Sequence, residues 1–322
     1  MNGTIRSVAC ALACIACAAA AAAQTPQETE RQRRDARQQL RATQMAAEKK
    51  VQDARGRIAG RRGGQVEASE PFSRTVRLVN GGTFDLWNVA GDVTITGGGR
   101  ETRIDAVKRV REVNDRRAQA LLAGIRIEIA ERGGNVEVRT VHPRTTTAGG
   151  AAVDYTITLP SNANVILRST SGNLHVQNIS GDELTANTLS GNVIISDLTT
   201  RMLELHTVLG NMQLHDVATQ RALLQSMAGN LEYAGRLMRT GRYQLQTHRG
   251  DIRVIPSGDA GFDLEAMTHS GDLHSEFVLK LPPQPRPGPR RPVQRVLRGT
   301  FGDAAAALTA TSFGGNIIIV KP

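Results

Sequence analysis

The sequence predicts an all-β protein: a single-stranded β-solenoid (β-helix) of repeats of about 19–22 residues, with a short N-terminal helical segment. Three observations predict this fold. A Gly-Asn or Gly-Asp pair recurs at nearly constant spacing, and apolar and polar residues alternate on both sides of it. Large rings are scarce, since aromatic residues are only 3% of the chain while 32 residues are Gly. Thin aliphatic layers with a Gly at every turn have this composition.

Residues 1–23 are predicted to be a signal peptide. They hold one early cation, Arg6, and then a short apolar run that ends in small residues before Gln24, the pattern of a cleaved export signal. Two alternatives stay open, a lipid anchor on Cys14 or Cys17 and a retained helix. All three Cys of the chain lie in this segment, so the predicted mature protein has neither a disulfide nor a cysteine nucleophile.

Residues 24–70 are predicted to be an Arg- and Gln-rich helical linker, with the helix over residues 28–50 and a Gly-rich break after it. The apolar positions are few and small, which favours a solvated linker. A weak coiled coil and a basic helix lying on anionic lipid remain alternatives.

The repeat domain is predicted over residues 71–322. Its corners are Gly followed by Asn or Asp, and the regular copies stand 19 to 21 residues apart. Gly tolerates φ > 0 and can turn the chain sharply, while Asn or Asp beside it can bond neighbouring backbone. The predicted corner residues are Gly91, Gly134, Gly172, Asn173, Gly191, Asn192, Gly210, Asn211, Gly229, Asn230, Gly250, Asp251, Gly271, Asp272, Gly315 and Asn316.

The positions around each corner repeat as well. Ser or Thr stands three places before the Gly, and aliphatic residues stand five before, two after and four after it in most copies. This period of two on both sides of a turn predicts strand, corner, strand in every unit.

Three segments fall outside the regular pattern. Residues 109–123 are charged and predicted to be a helical insertion, and residues 281–298 are rich in Pro and Arg and are predicted to loop out of the stack. The last strand, residues 317–320, is expected at an end of the solenoid, where its edge would need protection.

The repeat resembles the "putative adhesin" family of exported bacterial β-solenoid proteins, a family of unknown molecular function. The resemblance rests on the segment from Ser169 to Val176 (Ser-Thr-Ser-Gly-Asn-Leu-His-Val) and on the closing segment from Thr311 to Ile319. It covers about residues 80–322 and implies an exported, non-enzymatic domain, with a link to envelope-stress signalling. The Arg-rich leader and the Pro/Arg insertion depart from the family pattern.

Candidate chemistry on the repeats is sparse. His248 and His269 occupy one column and Asp251 and Asp272 another, which would allow a divalent metal site or an acid/base pair if the two layers were neighbours. Mixed occupancy of the His column, which elsewhere holds Thr, Leu, Val, Met and Phe, favours an exposed, tolerant corner instead. The sequence therefore predicts no catalytic residues and no cofactor.

The formal net charge is +10, but residues 161–280 hold 9 cations and 12 anions. The excess cations belong to the leader, the early insertion region and the last segment, so nucleic acid is not expected as a partner. The predicted function is that of an adhesin-like or scaffold module in the periplasm or on the cell surface, without a membrane span after processing. Its expected partners are an envelope protein, a glycan or an anionic lipid surface. The alternative is a carbohydrate-active β-helix enzyme or a glycan-binding protein.

Overall fold

The computed structural model describes residues 66–112, 114–143, 150–281 and 295–322, and the predicted all-β class is confirmed. The predicted signal peptide, the predicted linker as far as residue 65 and residues 282–294 of the predicted insertion lie outside these ranges. Within them one helix, α1 (Asp115–Gly124), accompanies nineteen strands of a single sheet. The strands are β1 (Val66–Val76), β2 (Thr83–Ala90), β3 (Val93–Gly97), β4 (Thr102–Glu112), β5 (Arg126–Arg132), β6 (Asn135–Val141), β7 (Ala151–Leu159), β8 (Asn164–Ser171), β9 (Leu174–Ile179), β10 (Glu183–Ser190), β11 (Val193–Leu209), β12 (Met212–Ala228), β13 (Leu231–Arg249), β14 (Ile252–Ser257), β15 (Phe262–Thr268), β16 (Leu273–Ser275), β17 (Arg295–Phe301), β18 (Ala306–Gly314) and β19 (Ile317–Ile319).

The centre of the molecule is a stack of coils, each of which we call a layer and name by its corner glycine. Strands of successive layers pair in parallel, as in β11 with β12, where Val193 lies opposite Met212 at an offset of 19 residues. Between β12 and β13 the offset grows to 21 residues, with Arg221 opposite Arg242. Adjacent layers are separated by about 4.8 Å, the ordinary spacing of paired strands.

The core is built from the aliphatic columns that the alternation predicts. Five places before the corner, Leu205, Leu224 and Leu245 lie above one another and are at most 1% exposed. Two places after it, Met212 and Leu231 continue the same interior. A single layer cannot cover its own apolar face, and stacking removes that face from water.

At the C-terminal end the layers do not follow the order of the sequence. β18 lies between β13 and β15, so that Ala310 pairs with Leu245 on one side and Ala266 on the other. β19 lies in the same way between β14 and β16. The Gly315 layer therefore separates the Gly250 layer from the Gly271 layer. The expectation that residues 317–320 form the end of the solenoid is wrong, because both edges of β19 are paired.

The N-terminal end is rearranged too. β2 pairs directly with β8 on one side and with β6 on the other, so the Gly91 layer contacts the Gly172 layer. Gly134 differs from the predicted corner, because Gly133 and Gly134, at φ +58° and +83°, form the two-residue turn of the antiparallel hairpin β5–β6.

Antiparallel pairs close both ends of the stack. β4 pairs with β1 and β7 near the N-terminal end, and β17 pairs with β15 at the C-terminal end. The helix is shorter than the predicted insertion, because residues 109–112 still belong to β4. Asn114 caps α1 by accepting the Arg116 N–H through its side chain, and Ala118 and Leu122 are its buried residues. Strand β1 begins at Val66, inside the range predicted as linker.

Candidate functional site

The corner glycines are required by close approach between layers. Gly172, Gly191, Gly210, Gly229 and Gly250 have φ between +123° and +152°, a region that L residues rarely adopt. A Cβ built on Gly229 would lie 2.5 Å from the carbonyl carbon of Gly210. The backbones of successive corners thus touch, which leaves no room for a side chain.

The Asn and Asp residues beside the corner glycines, together with Asp154 of β7, form one continuous hydrogen-bonded column through the stack. Asn230 donates its backbone N–H to Asn211 Oδ1 at 2.8 Å, and Asn211 donates in the same way to Asn192 Oδ1 at 3.0 Å. The column continues across the inserted layer, since Asn316 donates to Asp251 Oδ1 and Asp272 donates to Asn316 Oδ1. In stack order its members are Asp154, Asp92, Asn173, Asn192, Asn211, Asn230, Asp251, Asn316 and Asp272.

Cations stand at both ends of this column. Arg109 forms an ion pair with Asp154 at the first member, and Arg295 forms one with Asp272 at the last. Arg295 also donates to the carbonyl of Gly271 at 2.9 Å. The terminal members Asp154 and Asp272 therefore both have cationic partners.

Buried hydroxyls stand three places before each regular corner. Thr247 Oγ1 donates to the Gly229 carbonyl at 3.1 Å, and Ser312 Oγ donates to the Gly250 carbonyl at 3.0 Å. These two bonds join a hydroxyl to the corner of the preceding layer, whereas Thr188 Oγ1 donates to the Ser190 carbonyl of its own layer. Thr207 Oγ1 and Ser226 Oγ, in the middle of the stack, have no hydrogen-bond partner within the described ranges.

The structure does not bring the candidate metal residues together. Phe313 lies between His248 and His269 and stacks on both rings, with centroids 4.8 and 4.7 Å away. Asn316 lies between Asp251 and Asp272 in the same way. Within the described part of the chain, no group of three or more His, Cys, Asp or Glu side chains is placed to hold a metal ion. The cause is the insertion of the last two strands between the two layers.

A groove of about 650 Å³ runs along the stack beside the corners, and we call it the corner groove. One wall is the apolar row, two places before the corner, in which Met227 is 55% exposed and Phe313 51%. The facing wall is the polar row, four places before the corner. In stack order the apolar row is Leu189, Val208, Met227, His248, Phe313 and His269, and the polar row is Asn187, His206, Gln225, Gln246, Thr311 and Met267. His248, His269 and Met267 depart from the character of their rows.

The walls stand side by side on one face of the sheet because of strand geometry. Residues two apart on a strand point to the same side and stand about 7 Å apart, and the backbone of the buried hydroxyl position between them forms the floor. Stacking repeats this cross-section at each layer, so the groove runs perpendicular to the strands. In the sequence, the apolar row appears only as one repeat position that holds several residue types. The stacking of layers makes these side chains a continuous surface.

The corner groove has no formal charge along its walls, apart from what protonation of its His side chains would add. Its lining contains no Asp, Glu, Lys or Arg side chain. His206 is held in place by a bond of 2.8 Å between its Nε2 and Oε1 of Glu204. Glycosidases of the common type need two carboxyl groups flanking the scissile bond, and this groove supplies none.

Side chains with perturbed ionisation lie elsewhere. Burial raises the pKa of Tyr155 to about 12, and burial also raises the pKa of Tyr233 and Tyr243. Burial lowers the pKa of His142, and the backbone N–H of Gly261 lowers that of Asp303. These groups are apart from the groove lining, so they do not mark it as a catalytic centre.

In the described part of the chain, no helix has the length and apolar character needed to cross a membrane.

The sequence model of the Toastrack DUF4097 domain matches residues 124–286 of the chain. A solved "putative adhesin" from Bacteroides fragilis is similar at 15% identity and a TM-score of 0.43, over 78% of this chain and 97% of its own. A "putative cell adhesion protein" from Clostridium sporogenes is similar at 10% identity and a TM-score of 0.39, over 79% of this chain and 100% of its own. A "putative lipid binding protein" from Parabacteroides distasonis gives 10% identity and a TM-score of 0.37, over 78% and 97%. Comparison with curated proteins gives no match.

Proposed function

The chain belongs to the Toastrack DUF4097 family, and on that premise we propose that it is a non-enzymatic, adhesin-like interaction module of the bacterial envelope. The proposal places the partner in the corner groove. The stack of layers supplies a rigid surface, because strand pairing and the Asn/Asp column hold each layer to its neighbours.

The observation that supports this site is a row of large apolar side chains in solvent. Twelve large apolar residues of the described chain are exposed, and five of them belong to one column: Val89, Leu189, Val208, Met227 and Phe313. Soluble proteins seldom expose contiguous apolar patches without using them, since such patches promote association. Nothing in the core requires large side chains at this position, because they point away from it.

Two features support a binding role over the enzymatic alternative. The groove lining has no Asp or Glu side chain to serve as a catalytic carboxylate. The corner backbone is also held by close contacts at each layer, which favours a fixed recognition surface. Export through a signal peptide, attachment of the Arg-rich segments to anionic lipid, and a link to envelope-stress signalling stay predictions.

The experiment uses the purified full chain and isolated envelopes of the producing strain. The double variant Leu189→Asp/Met227→Asp places charge in the apolar row, and Gln213→Asp is the matched control on the exposed opposite side of the corner in β12. We expect the double variant to lose most co-sedimentation with envelopes while the control retains it. Equal binding of the double variant and the wild type, with both folded by circular dichroism, would refute the groove as the contact surface.

Export is tested separately. The periplasmic fraction should contain a mature protein whose first residue is Gln24. An intact N-terminus in a cytoplasmic fraction would contradict the proposal.

A further inference from the structure

We propose that the corner groove binds an uncharged linear glycan along the stack. This inference rests on the proposed function, because it names the ligand of the same surface. Three properties of the groove carry it: its two unlike walls, its neutrality and its repeat along the stack.

Because one wall is apolar and the other is polar, a purely apolar ligand would match only one of them. Asn187, His206 and Gln225 offer amide or imidazole groups on three successive layers, and Leu189, Val208 and Met227 stand beside them. An acyl chain would contact the apolar row but leave the polar row without partners. A sugar ring has hydroxyl groups at its edge and C–H groups on its face, so it can satisfy both rows at once.

The charge of the walls selects among polymers. The lining holds no Lys, Arg, Asp or Glu side chain from the Gly191 layer to the Gly271 layer. Arg168, which stands next to Asn187 at the end of the polar row, lies outside the lining and is ion-paired with Asp85. A phosphate-rich or uronic-acid-rich polymer would find no cation there to replace its hydration, whereas a neutral glycan needs only donors and acceptors without charge. Gln and Asn supply both, because each amide carries a carbonyl oxygen and an NH₂ group.

The repeat of the groove suits an extended polymer. The same wall positions recur at each layer, about 4.8 Å apart. One sugar unit of an extended linear glycan has nearly this length, so successive sugars would meet equivalent side chains. Both walls are present from the Gly191 layer to the Gly271 layer, which is six layers and therefore about 24 Å.

The concave cross-section also disfavours a second copy of the chain. Two equal grooves placed face to face would leave a channel between them and bury little apolar surface. A slender ligand fills the space between the rows. An extended peptide would gain no main-chain pairing there, because the backbone groups of the flanking strands already pair between layers.

The test is calorimetric titration of the full chain with three neutral probes (cellohexaose, hexa-N-acetylchitohexaose and maltohexaose), with hexagalacturonate and with palmitate. We expect at least one neutral hexasaccharide to bind, with an affinity that rises with the number of sugars from two to six. Gln225→Leu should weaken that binding by about fivefold to tenfold, since it removes one or two hydrogen bonds from a half-open site. Gln213→Leu, the same change on the opposite side of the corner, should leave it unchanged.

The outcomes separate the glycan assignment from the proposed function of the groove as an interaction surface. Failure of all three neutral probes overturns the glycan assignment. Palmitate binding that Gln225→Leu strengthens also overturns it in favour of an apolar ligand, yet leaves the groove as the interaction surface. If the Leu189→Asp/Met227→Asp variant also binds envelopes normally, the proposed function fails together with the glycan assignment. Circular dichroism and thermal unfolding of each variant confirm that a loss of binding is not a loss of fold.

Discussion

Replacing Gly229 by Ala tests whether the stack depends on backbone contact at its corners. The new Cβ would lie 2.5 Å from the Gly210 carbonyl carbon, whereas carbon atoms in contact prefer about 3.5 Å or more. The two corners must therefore separate by about 1 Å. Three bonds join them: Gly210 N–H to the Ala228 carbonyl, Met212 N–H to the Asn230 carbonyl, and Asn230 N–H to Asn211 Oδ1, at 2.8 to 3.0 Å.

The cost follows from these contacts. Lengthening the three bonds by about 1 Å leaves none within hydrogen-bonding range, which costs roughly 3 kcal/mol in total. The φ of +152° adds about 1–3 kcal/mol for a residue with a Cβ. Reduced freedom of the unfolded chain returns about 0.5–1 kcal/mol. We expect Gly229→Ala to lower the free energy of unfolding by about 3–5 kcal/mol.

The matched control is Gly81→Ala. Gly81 also has a positive φ, +73°, but a Cβ there meets no heavy atom within 4 Å. Its expected cost is about 1 kcal/mol, from the left-handed conformation alone. Urea unfolding followed by circular dichroism measures both values, and amide exchange at Gly210 and Asn230 reports opening of that layer alone. If the two variants differ by less than about 1 kcal/mol, close approach does not explain the repeated glycine.

Three further predictions concern the column, the buried rings and the interleaved end. Asn211→Ala leaves the Asn230 N–H without its acceptor and should lower the free energy of unfolding in urea by about 1–2 kcal/mol. Asn211→Asp keeps an acceptor and should lower it by less than half as much. Equal losses in the two variants would contradict the role of Oδ1. All three Tyr of the chain are buried, and burial raises the pKa of Tyr155 to about 12. The unfolded chain therefore loses that phenolic proton first as pH rises above about 10, and stability should fall up to about pH 12 by roughly 1.4 kcal/mol per pH unit for this group. Tyrosinate absorbance of the native protein should stay low until unfolding, and a normal titration of all three rings in the folded state would refute this. Deleting residues 306–322 should expose β15 to proteolysis, because β18 joins β15 to the stack. Protection of backbone amides from exchange should persist from the Gly91 layer to the Gly229 layer. A protease-resistant β15 would contradict the interleaved order.

Much of the fold could be predicted from residues at fixed spacing. The alternation around Gly191, Gly210 and Gly229 predicts strands on both sides of a corner, and the structure places the aliphatic columns in the core. Local sequence decides these features, because the φ that a corner needs and the side chain that fits an interior column are properties of single positions.

The candidate site could be predicted only in part. The apolar residues Leu189, Val208 and Met227 were visible as one column, but exposure at a tolerant corner and a continuous groove have the same sequence pattern. The difference lies in the facing polar row, which belongs to another column and becomes a wall only when layers stack. The sequence offered no signal for the ligand beyond the scarcity of charge in these two columns, where Arg168 is the formally charged member.

The sequence by itself determined that this chain is a repeat of strands with a glycine at each corner and an Asn or Asp beside it. The tertiary structure alone decided which layers are neighbours. Consecutive repeats pair in the centre because short connections leave them adjacent, but the strand-pairing surface is nearly the same for every layer. The closing segment can therefore enter between the Gly250 and Gly271 layers, where Phe313 separates His248 from His269. Spacing along the chain says what a layer is made of, and only the folded contacts say which layer it touches.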